Sequence, residues 1–239
     1  AERFGTEVLL DDVIEVDLTG TIKIVKTGGG QTFEAKTVIL ATGAAYRELG
    51  LPKEKELSGH GVSWCATCDG FFFREKTIAV IGGGDSAMEE ATFLTRFASK
   101  VYLIHRRDTF KASKIMQERA LANPKIEVVW NTEVAELLGE GKLSGIITRN
   151  TVDGSTKQLD LDGLFIAVGN DPRVWLVENQ VELTAEKFIK VEGRSSKTSL
   201  PGVFACGDVI DPTYRQAITA AGSGCVAALD AEHYLADVK

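Results

Sequence analysis

The sequence has few cysteines, no long apolar run and no strong excess of one charge. Four cysteines among 239 residues are too few for the disulfide framework of a small secreted scaffold. No apolar run approaches the roughly 20 residues that a membrane-spanning helix needs, and the N-terminus carries no signal-peptide pattern. A net charge of −7, spread over both signs, does not favour a nucleic acid as partner. We therefore expect a cytoplasmic protein that binds neither membrane nor nucleic acid.

The sequence also lacks an initiator methionine and any internal repeat. Because it begins within a pattern, we expect further residues upstream. The composition, with 44% apolar and 26% charged residues, is that of an ordinary globular protein. A chain of this length forms one large or two small domains.

Two of the four cysteines form a C-x-x-C pair, Cys65 and Cys68, which Asp69 follows directly. The two thiols are close enough in the chain to bridge each other. In a redox pair, one thiolate attacks a partner disulfide and the other resolves the mixed disulfide. Asp69 is placed to handle the proton that accompanies thiol release; its structural alternative is to cap the following turn. We expect Cys206 and Cys225, which lie among small apolar residues, to be buried reduced thiols.

A C-x-x-C pair is also half of a zinc site, and a zinc site needs two further ligands. His60 and His105 stand alone, the other two cysteines lack a ligand spacing, and no second C-x-x-C occurs. We therefore expect no metal.

A dinucleotide-binding turn follows the dithiol. Residues 77–81 form an apolar run that predicts a buried parallel strand, and the next six residues match G-x-G-x-x-A. A helix over residues 86–97 and a second strand over 101–104 complete the expected βαβ pattern. In this motif the glycines let the backbone approach a pyrophosphate, and the helix N-terminus supplies amide donors. The predicted pyrophosphate site comprises Gly82, Gly83, Gly84, Asp85 and Ser86.

The end of the second strand predicts which dinucleotide is bound. An NAD-binding protein would carry an acid there for the ribose hydroxyls, whereas this chain carries His105, Arg106 and Arg107. Two guanidinium groups fit a 2′-phosphate, which favours NADPH. The structural alternative is a solvated basic strand end.

The chemistry requires a second nucleotide site. Since nicotinamide transfers hydride and a disulfide reacts through thiolates, we expect a flavin as intermediary. One candidate segment is the strand over 36–41, which ends at Thr42 and Gly43 and would pass close to a ligand; a simple strand-end turn is the alternative.

The other candidate segment for the flavin lies near the C-terminus. A strand over 202–206 leads into Gly207 and Asp208, and a helix over 216–234 begins with Arg215, Gln216 and Ala217. An acid beside a helix N-terminus suits a ribityl hydroxyl and a pyrophosphate.

The remaining patterns predict elements that carry no assigned chemistry. We expect a helix over 109–122, a small meander with strands over 143–150 and 158–161, a buried strand over 164–168 and a further strand over 188–191. Residues 44–61 and 169–172 are the predicted crossings between domains.

The sequence resembles the bacterial low-molecular-weight thioredoxin reductases over essentially its whole length. The matching stretches are residues 65–73 (CATCDGFFF), 81–91 (IGGGDSAMEEA), 105–112 (HRRDTFKA) and 202–228 (GVFACGDVIDPTYRQAITAAGSGCVAA). The resemblance implies an α/β flavoprotein with two Rossmann-like dinucleotide-binding domains, of the class II pyridine nucleotide-disulfide oxidoreductases. Residues 48–171 would be the NADPH domain, and residues 1–47 and 172–239 part of the FAD domain.

The resemblance also implies roles for residues. Cys65 and Cys68 would be the redox disulfide, with Cys68 nearer the flavin and Asp69 as the acid. Arg106 and Arg107 would hold the 2′-phosphate. The residues expected to contact FAD are Asp208, Arg215, Gln216 and Ala217, with Thr42 and Gly43 nearby. Electrons would pass from NADPH through FAD to the disulfide and on to thioredoxin, in a homodimer whose NADPH domain swings.

The sequence departs from the family at three points. The family's first FAD-binding βαβ unit, with its own G-x-G-x-x-G turn, does not occur in this stretch, which we therefore expect to hold FAD poorly by itself. Lys111 stands where the family usually has arginine, which keeps the charge but loses the fork. Asn170 stands where members often have histidine.

Two other functions fit parts of the pattern. The flavoprotein subunit of alkyl hydroperoxide reductase shares the C-x-x-C-D-G motif, but its strand end normally lacks His-Arg-Arg. A non-catalytic NADPH-binding fragment would fit the missing FAD turn.

Overall fold

A computed structural model describes residues 1–238, which form fifteen strands and four α-helices. The strands are Val13–Asp17 (β1), Lys23–Thr27 (β2), Thr32–Ala35 (β3), Val38–Leu40 (β4), Ala44–Tyr46 (β5), Val62–Ser63 (β6), Thr77–Ile81 (β7), Lys100–Ile104 (β8), Ile126–Val129 (β9), Thr132–Leu138 (β10), Gly145–Asn150 (β11), Thr156–Asp160 (β12), Gly163–Ile166 (β13), Asn170–Pro172 (β14) and Val203–Ala205 (β15). The α-helices are Ala66–Asp69 (α1), Asp85–Leu94 (α2), Lys114–Leu121 (α3) and Ala217–Asp237 (α4). Short 3₁₀ helices cover Glu2–Phe4, Gly70–Phe73 and Gly207–Ile210. Across residues 1–238, every helix is too short or too polar to cross a bilayer.

The chain divides into two units. The central unit is Tyr46–Asn170, and the split unit consists of Ala1–Ala45 and the chain from Asp171 onward.

A five-stranded sheet organises the central unit, in the order β6-β13-β7-β8-β9 with all neighbours parallel. Alternate residues of β7 point to opposite faces. Ile78 and Val80 belong to the cluster that includes α2 and α3, whereas Ala79 and Ile81 join a second cluster with the meander. Because both faces are covered, the strand is an unbroken apolar run, and the prediction of a buried strand over 77–81 is confirmed to the residue.

Helices cover one face of this sheet and an antiparallel meander covers the other. Ala87, Met88, Ala91 and Leu94 of α2 are fully buried, at the spacing of one helical face. The meander has the order β10-β11-β12, and its Leu137 is almost completely buried in the second cluster.

The split unit contains a three-stranded antiparallel sheet, β1-β2-β3, and a parallel pair, β4 with β15. The glycine segment 28–30 lies in the turn between β2 and β3, and the Gly30 N–H donates to the Thr27 carbonyl. The long helix α4 packs on β15 through Ala227 and Ala231, which meet Phe204.

Two predicted helices are shorter in the structure. The helix predicted over 109–122 begins only at Lys114, because the Lys111 and Ala112 amides donate to the Gly83 carbonyl instead of entering a helix. The helix predicted over 86–97 runs from Asp85 to Leu94. It is followed by hydrogen bonds between residues three apart, as in a 3₁₀ helix.

Two further predictions are wrong. Residues 188–191 form no strand: Ile189 makes only an isolated bridge with Leu183, since no longer strand lies beside it. Cys206 is buried as predicted, but Cys225 is exposed. In α4 the buried Ala227 is two residues further on, which places Cys225 about 200° away around the helix, on the opposite face.

Candidate functional site

Cys65 and Cys68 form a disulfide, as the sequence predicts. Cys65 caps the one-turn helix α1, and its Sγ accepts the Cys68 N–H at 3.2 Å. Cys68 is exposed and Cys65 is half-buried. The following 3₁₀ helix is anchored by Phe73, whose ring meets Phe165 edge-on at 5.1 Å. A disulfide at the surface of a fixed loop is accessible to another redox group.

Asp69 ends the dithiol helix and is held by Ser63. The Ser63 hydroxyl donates to Asp69 Oδ2 at 2.7 Å, and the Cys65 N–H donates to Ser63 Oγ at 3.0 Å. The side chain of Asp69 makes no cap hydrogen bond to the 3₁₀ helix Gly70–Phe73, so its predicted alternative role is wrong. Sequence reasoning missed Ser63, whose one signal is its place at the strand end just before the dithiol.

The glycines of the nucleotide turn have distinct environments. A Cβ on Gly82 would collide with the Ala167 carbonyl oxygen and with the Cβ of Ala87, and its φ is +157°. Gly84 has φ −97° and caps α2, and a Cβ added there would meet no heavy atom within 4 Å. Gly82 is therefore required by the protein's own packing, while the open face of Gly84 leaves backbone and helix N-terminus accessible to a phosphate.

The loop after β8 folds over the turn. The Gly83 carbonyl accepts the Lys111 and Ala112 amides at 2.8 and 3.0 Å, and the His105 ring lies where a Cβ of Gly83 would be. His105 Nε2 lies 3.0 Å from the Thr109 carbonyl oxygen. Burial lowers the pKa of His105, and the nearby arginine charges act in the same direction. The imidazole is therefore neutral at pH 7.

Asp85 ties this loop to helix α2. Its Oδ1 accepts the Ser113 N–H at 2.7 Å and the Ser113 hydroxyl at 2.9 Å. Asp85 was predicted from the motif as a cofactor residue, and the structure gives it a positioning contact, since Ser113 precedes α3. Ser86, next to it, is exposed.

Arg106, Arg107 and Lys111 are exposed on this same loop. The backbone beneath the arginines is fixed, because the Arg106 carbonyl accepts the Thr151 hydroxyl at 3.1 Å and the Arg107 carbonyl accepts the Asn131 N–H at 3.2 Å. Three cationic side chains thus project from a loop whose backbone is bonded to the turn. This arrangement fits a phosphate group.

The dithiol and the nucleotide turn leave the same edge of one sheet. Ser63 ends β6 and Ile81 ends β7, and the parallel strand β13 lies between them. At the usual strand spacing, β6 and β7 are about 10 Å apart. Ligands of parallel α/β sheets bind at this carboxyl edge.

The predicted flavin residues lie in the split unit. Gly43 has φ +73° with open space where a Cβ would lie, and the Thr42 hydroxyl donates to the Arg173 carbonyl at 2.7 Å. Gly207, with φ +75°, begins the 3₁₀ helix that contains Asp208.

The start of α4 holds the other three predicted flavin residues. Arg215 has a left-handed φ of +48°, and Gln216 forms a capping box with Thr219 ahead of Ala217. The first amides of a helix lack intrahelical acceptors, so this terminus fits an anionic or carbonyl acceptor.

Asp211 fixes the loop before α4. This residue was not predicted from the sequence. Its carboxylate accepts the amides of Thr213, Tyr214 and Arg215 at 2.8–2.9 Å. Burial alone would raise the pKa of Asp211, but these backbone donors hold it below its ordinary value. The Asp-x-x-x-Arg spacing was the available signal. Within residues 1–238, no group of three His, Cys, Asp or Glu side chains is placed to hold a metal ion.

The geometry defines a disulfide beside a dinucleotide turn, and comparison with known proteins identifies the family in which this pair occurs. The family model "Pyridine nucleotide-disulphide oxidoreductase" matches residues 2–224, and the chain belongs to this family. A thioredoxin reductase of Streptomyces clavuligerus is 60% identical over 236 residues, which cover 99% of this chain and 73% of that protein. A bifunctional thioredoxin reductase/thioredoxin of Mycobacterium leprae is 54% identical over 99% of this chain and 52% of its own length.

Solved structures agree with these relatives. The thioredoxin reductase of Streptococcus pyogenes superimposes with a TM-score of 0.91 at 42% identity, over 99% of this chain and 77% of that one. The predicted α/β fold class, the resemblance to thioredoxin reductases and the oxidoreductase activity are thereby confirmed. The alternative functions are not favoured. Membership of the family implies use of a flavin and a pyridine nucleotide.

Proposed function

We propose that this chain is the NADPH-dependent, FAD-containing reductase of a thioredoxin disulfide. The observation that carries the proposal is the Cys65–Cys68 disulfide, with Cys68 exposed, at the same sheet edge as the Gly82–Gly84 turn. The Mycobacterium leprae relative, named as a reductase joined to thioredoxin, supports the choice of partner. The family resemblance supports a cytoplasmic homodimer.

The two units divide the cofactors between them in this proposal. The central unit, close to the predicted 48–171, binds NADPH through the glycine turn and the loop after β8. The split unit supplies part of the FAD site through Thr42, Gly43, Gly207, Asp208 and the start of α4. When bound, NADPH supplies a hydride and FAD passes two electrons to a disulfide.

The dithiol chemistry belongs to the protein's own residues. In the reduced pair, one thiolate attacks a sulfur of the thioredoxin disulfide, and the other thioredoxin sulfur leaves as a thiolate. The second cysteine then attacks the mixed disulfide, which re-forms the Cys65–Cys68 bond and releases the second thioredoxin thiolate. The two protons of the dithiol end on the two thioredoxin thiols. Asp69 is the residue we assign to proton transfer.

The selection of NADPH over NADH rests on Arg106 and Arg107. Both guanidinium groups are exposed on a loop with a fixed backbone. A guanidinium fork binds a phosphate with paired, charge-assisted hydrogen bonds, and only NADPH carries the 2′-phosphate. Lys111 adds a third charge without the fork.

A cysteine exchange tests the function. Cys68→Ser removes one half of the disulfide and should abolish reduction of thioredoxin by NADPH, while NADPH affinity, measured by calorimetry, stays unchanged. Cys225→Ser is the matched control, because Cys225 is an exposed cysteine outside any disulfide; this variant should retain activity. Turnover by Cys68→Ser would refute the assignment.

A further inference from the structure

Ser63 is a buried polar side chain that contacts both ends of the dithiol loop. It is the last residue of β6 and only 5% exposed. Its backbone is in register with Phe165 of the neighbouring strand β13. The sheet therefore fixes the backbone from which its hydroxyl extends to the loop.

The hydroxyl has three polar neighbours and one proton to donate. Asp69 Oδ2 lies at 2.7 Å, whereas the Cys65 carbonyl oxygen lies at 3.4 Å, beyond the usual O–H···O range. The proton therefore goes to Asp69, and a lone pair of Ser63 accepts the Cys65 N–H at 3.0 Å. One side chain thus joins the first cysteine to the carboxylate that follows the second.

We propose that Ser63 is a positioning residue for disulfide exchange, which holds the Asp69 carboxyl group so that it delivers the proton to the leaving thiolate. The inference rests on the proposed function and deepens it. The exchange balances: a protein thiolate forms a bond to one sulfur of the partner disulfide, that S–S bond breaks, and the departing thiolate takes a proton. That proton originates on the dithiol, and Asp69 carries it.

If the role of Ser63 were purely structural, loss of a comparable buried hydrogen bond elsewhere in the protein should slow exchange equally. Ser196 provides this control. Ser196 is 1% exposed and donates its hydroxyl to Asp230 Oδ2 at 2.7 Å, with its N–H on the same oxygen at 2.8 Å. This pair lies in the split unit, away from the dithiol in the sequence. Ser196→Ala loses a comparable buried hydrogen bond without touching the dithiol loop.

The test uses two disulfides with different leaving groups. The protein, in a Cys225→Ser background, is reduced with dithiothreitol, desalted anaerobically and mixed with glutathione disulfide or with 5,5′-dithiobis(2-nitrobenzoate). Re-formation of the Cys65–Cys68 bond is followed by alkylation and mass spectrometry. Glutathione leaves as a basic thiolate that needs a proton, whereas thionitrobenzoate leaves readily without one.

Ser63→Ala should slow exchange with glutathione disulfide by about tenfold to a hundredfold, the factor expected for one hydrogen bond to a charged group. Its effect on the nitrobenzoate disulfide should stay within about threefold. Ser63→Thr, which keeps a hydroxyl on Cβ, should restore the rate, and Ser196→Ala should stay within about twofold of the parent. In an Asp69→Ala background, Ser63→Ala should add no further slowing.

Equal slowing with both disulfides, or additive slowing in the Asp69→Ala background, would overturn the proposal. So would an equal loss in Ser196→Ala. Because exchange is measured without NADPH, failure of the proposed function is seen separately, as an absence of NADPH-dependent thioredoxin reduction by the parent protein.

Discussion

Alanine at Gly82 and at Gly84 should have opposite consequences for stability and for nucleotide binding. At Gly82 the new Cβ collides with the Ala167 carbonyl oxygen and the Cβ of Ala87. Overpacking of this kind costs about 1–3 kcal/mol, and each kcal/mol lowers the melting temperature of a chain of this size by about 2–4 °C. At Gly84 the new Cβ meets no heavy atom within 4 Å and φ is an ordinary −97°. Alanine caps a helix less well than glycine, which lowers stability, but it also restricts the unfolded chain, which raises stability. The two effects should offset each other to within about 1 kcal/mol.

Binding should follow the reverse order. The Cβ at Gly84 would occupy the open face to which the proposed function assigns the pyrophosphate, so NADPH affinity should fall by at least about tenfold, or 1.4 kcal/mol. The assay is thermal unfolding combined with calorimetric NADPH titration below the melting range. If Gly84→Ala binds NADPH like the parent, or melts below Gly82→Ala, the assignment of the turn is wrong.

Two further predictions concern the loop after β8. Arg106→Ala and Arg107→Ala should each weaken NADPH binding by about tenfold or more while NADH binding changes little; Arg119→Ala, an exposed arginine of α3, should change neither affinity in calorimetry. His105 binds a proton less readily folded than unfolded, because burial lowers its pKa from 6.5, so its contribution to stability is present above about pH 6.5 and is lost as the pH falls below that value. Urea unfolding should show that the free energy of unfolding falls more between pH 8 and pH 5.5 for the parent than for His105→Gln. Equal decreases would contradict the reasoning.

The parts of the fold that were predictable from the sequence are those where one residue pattern decides the element. Strand β7 is an unbroken apolar run because both faces of the sheet are covered, and its bounds were predicted to the residue. The start of α3 was not predictable, because the amides of Lys111 and Ala112 are taken by the Gly83 carbonyl. That acceptor is far away in the sequence. Residues 188–191 have strand-like composition, but a strand also requires a partner, which composition does not reveal.

The site shows the same division. Motif spacing predicted the pairing of the two cysteines, which the structure confirms, and it singled out Gly82, where packing requires a glycine. Ser63 and Asp211 act through the direction of one side chain. That direction depends on tertiary contacts: a strand end for Ser63, and a loop curled around the carboxylate for Asp211. A single serine or aspartate gives no periodic signal.

The sheet sets the separation of the two redox features, and strand β13 is the reason. Phe165 of β13 is in register with Ser63 of β6 on one side and with Val80 of β7 on the other. All four residues of β13 are buried, and a Cβ at Gly163 would collide with the Phe73 ring, so a slip by one residue would force a side chain into that ring. A slip would also displace the dithiol loop from the nucleotide turn, since each follows its own strand directly. The dithiol and the turn are therefore held at a fixed spacing by a core strand that itself carries no reactive group.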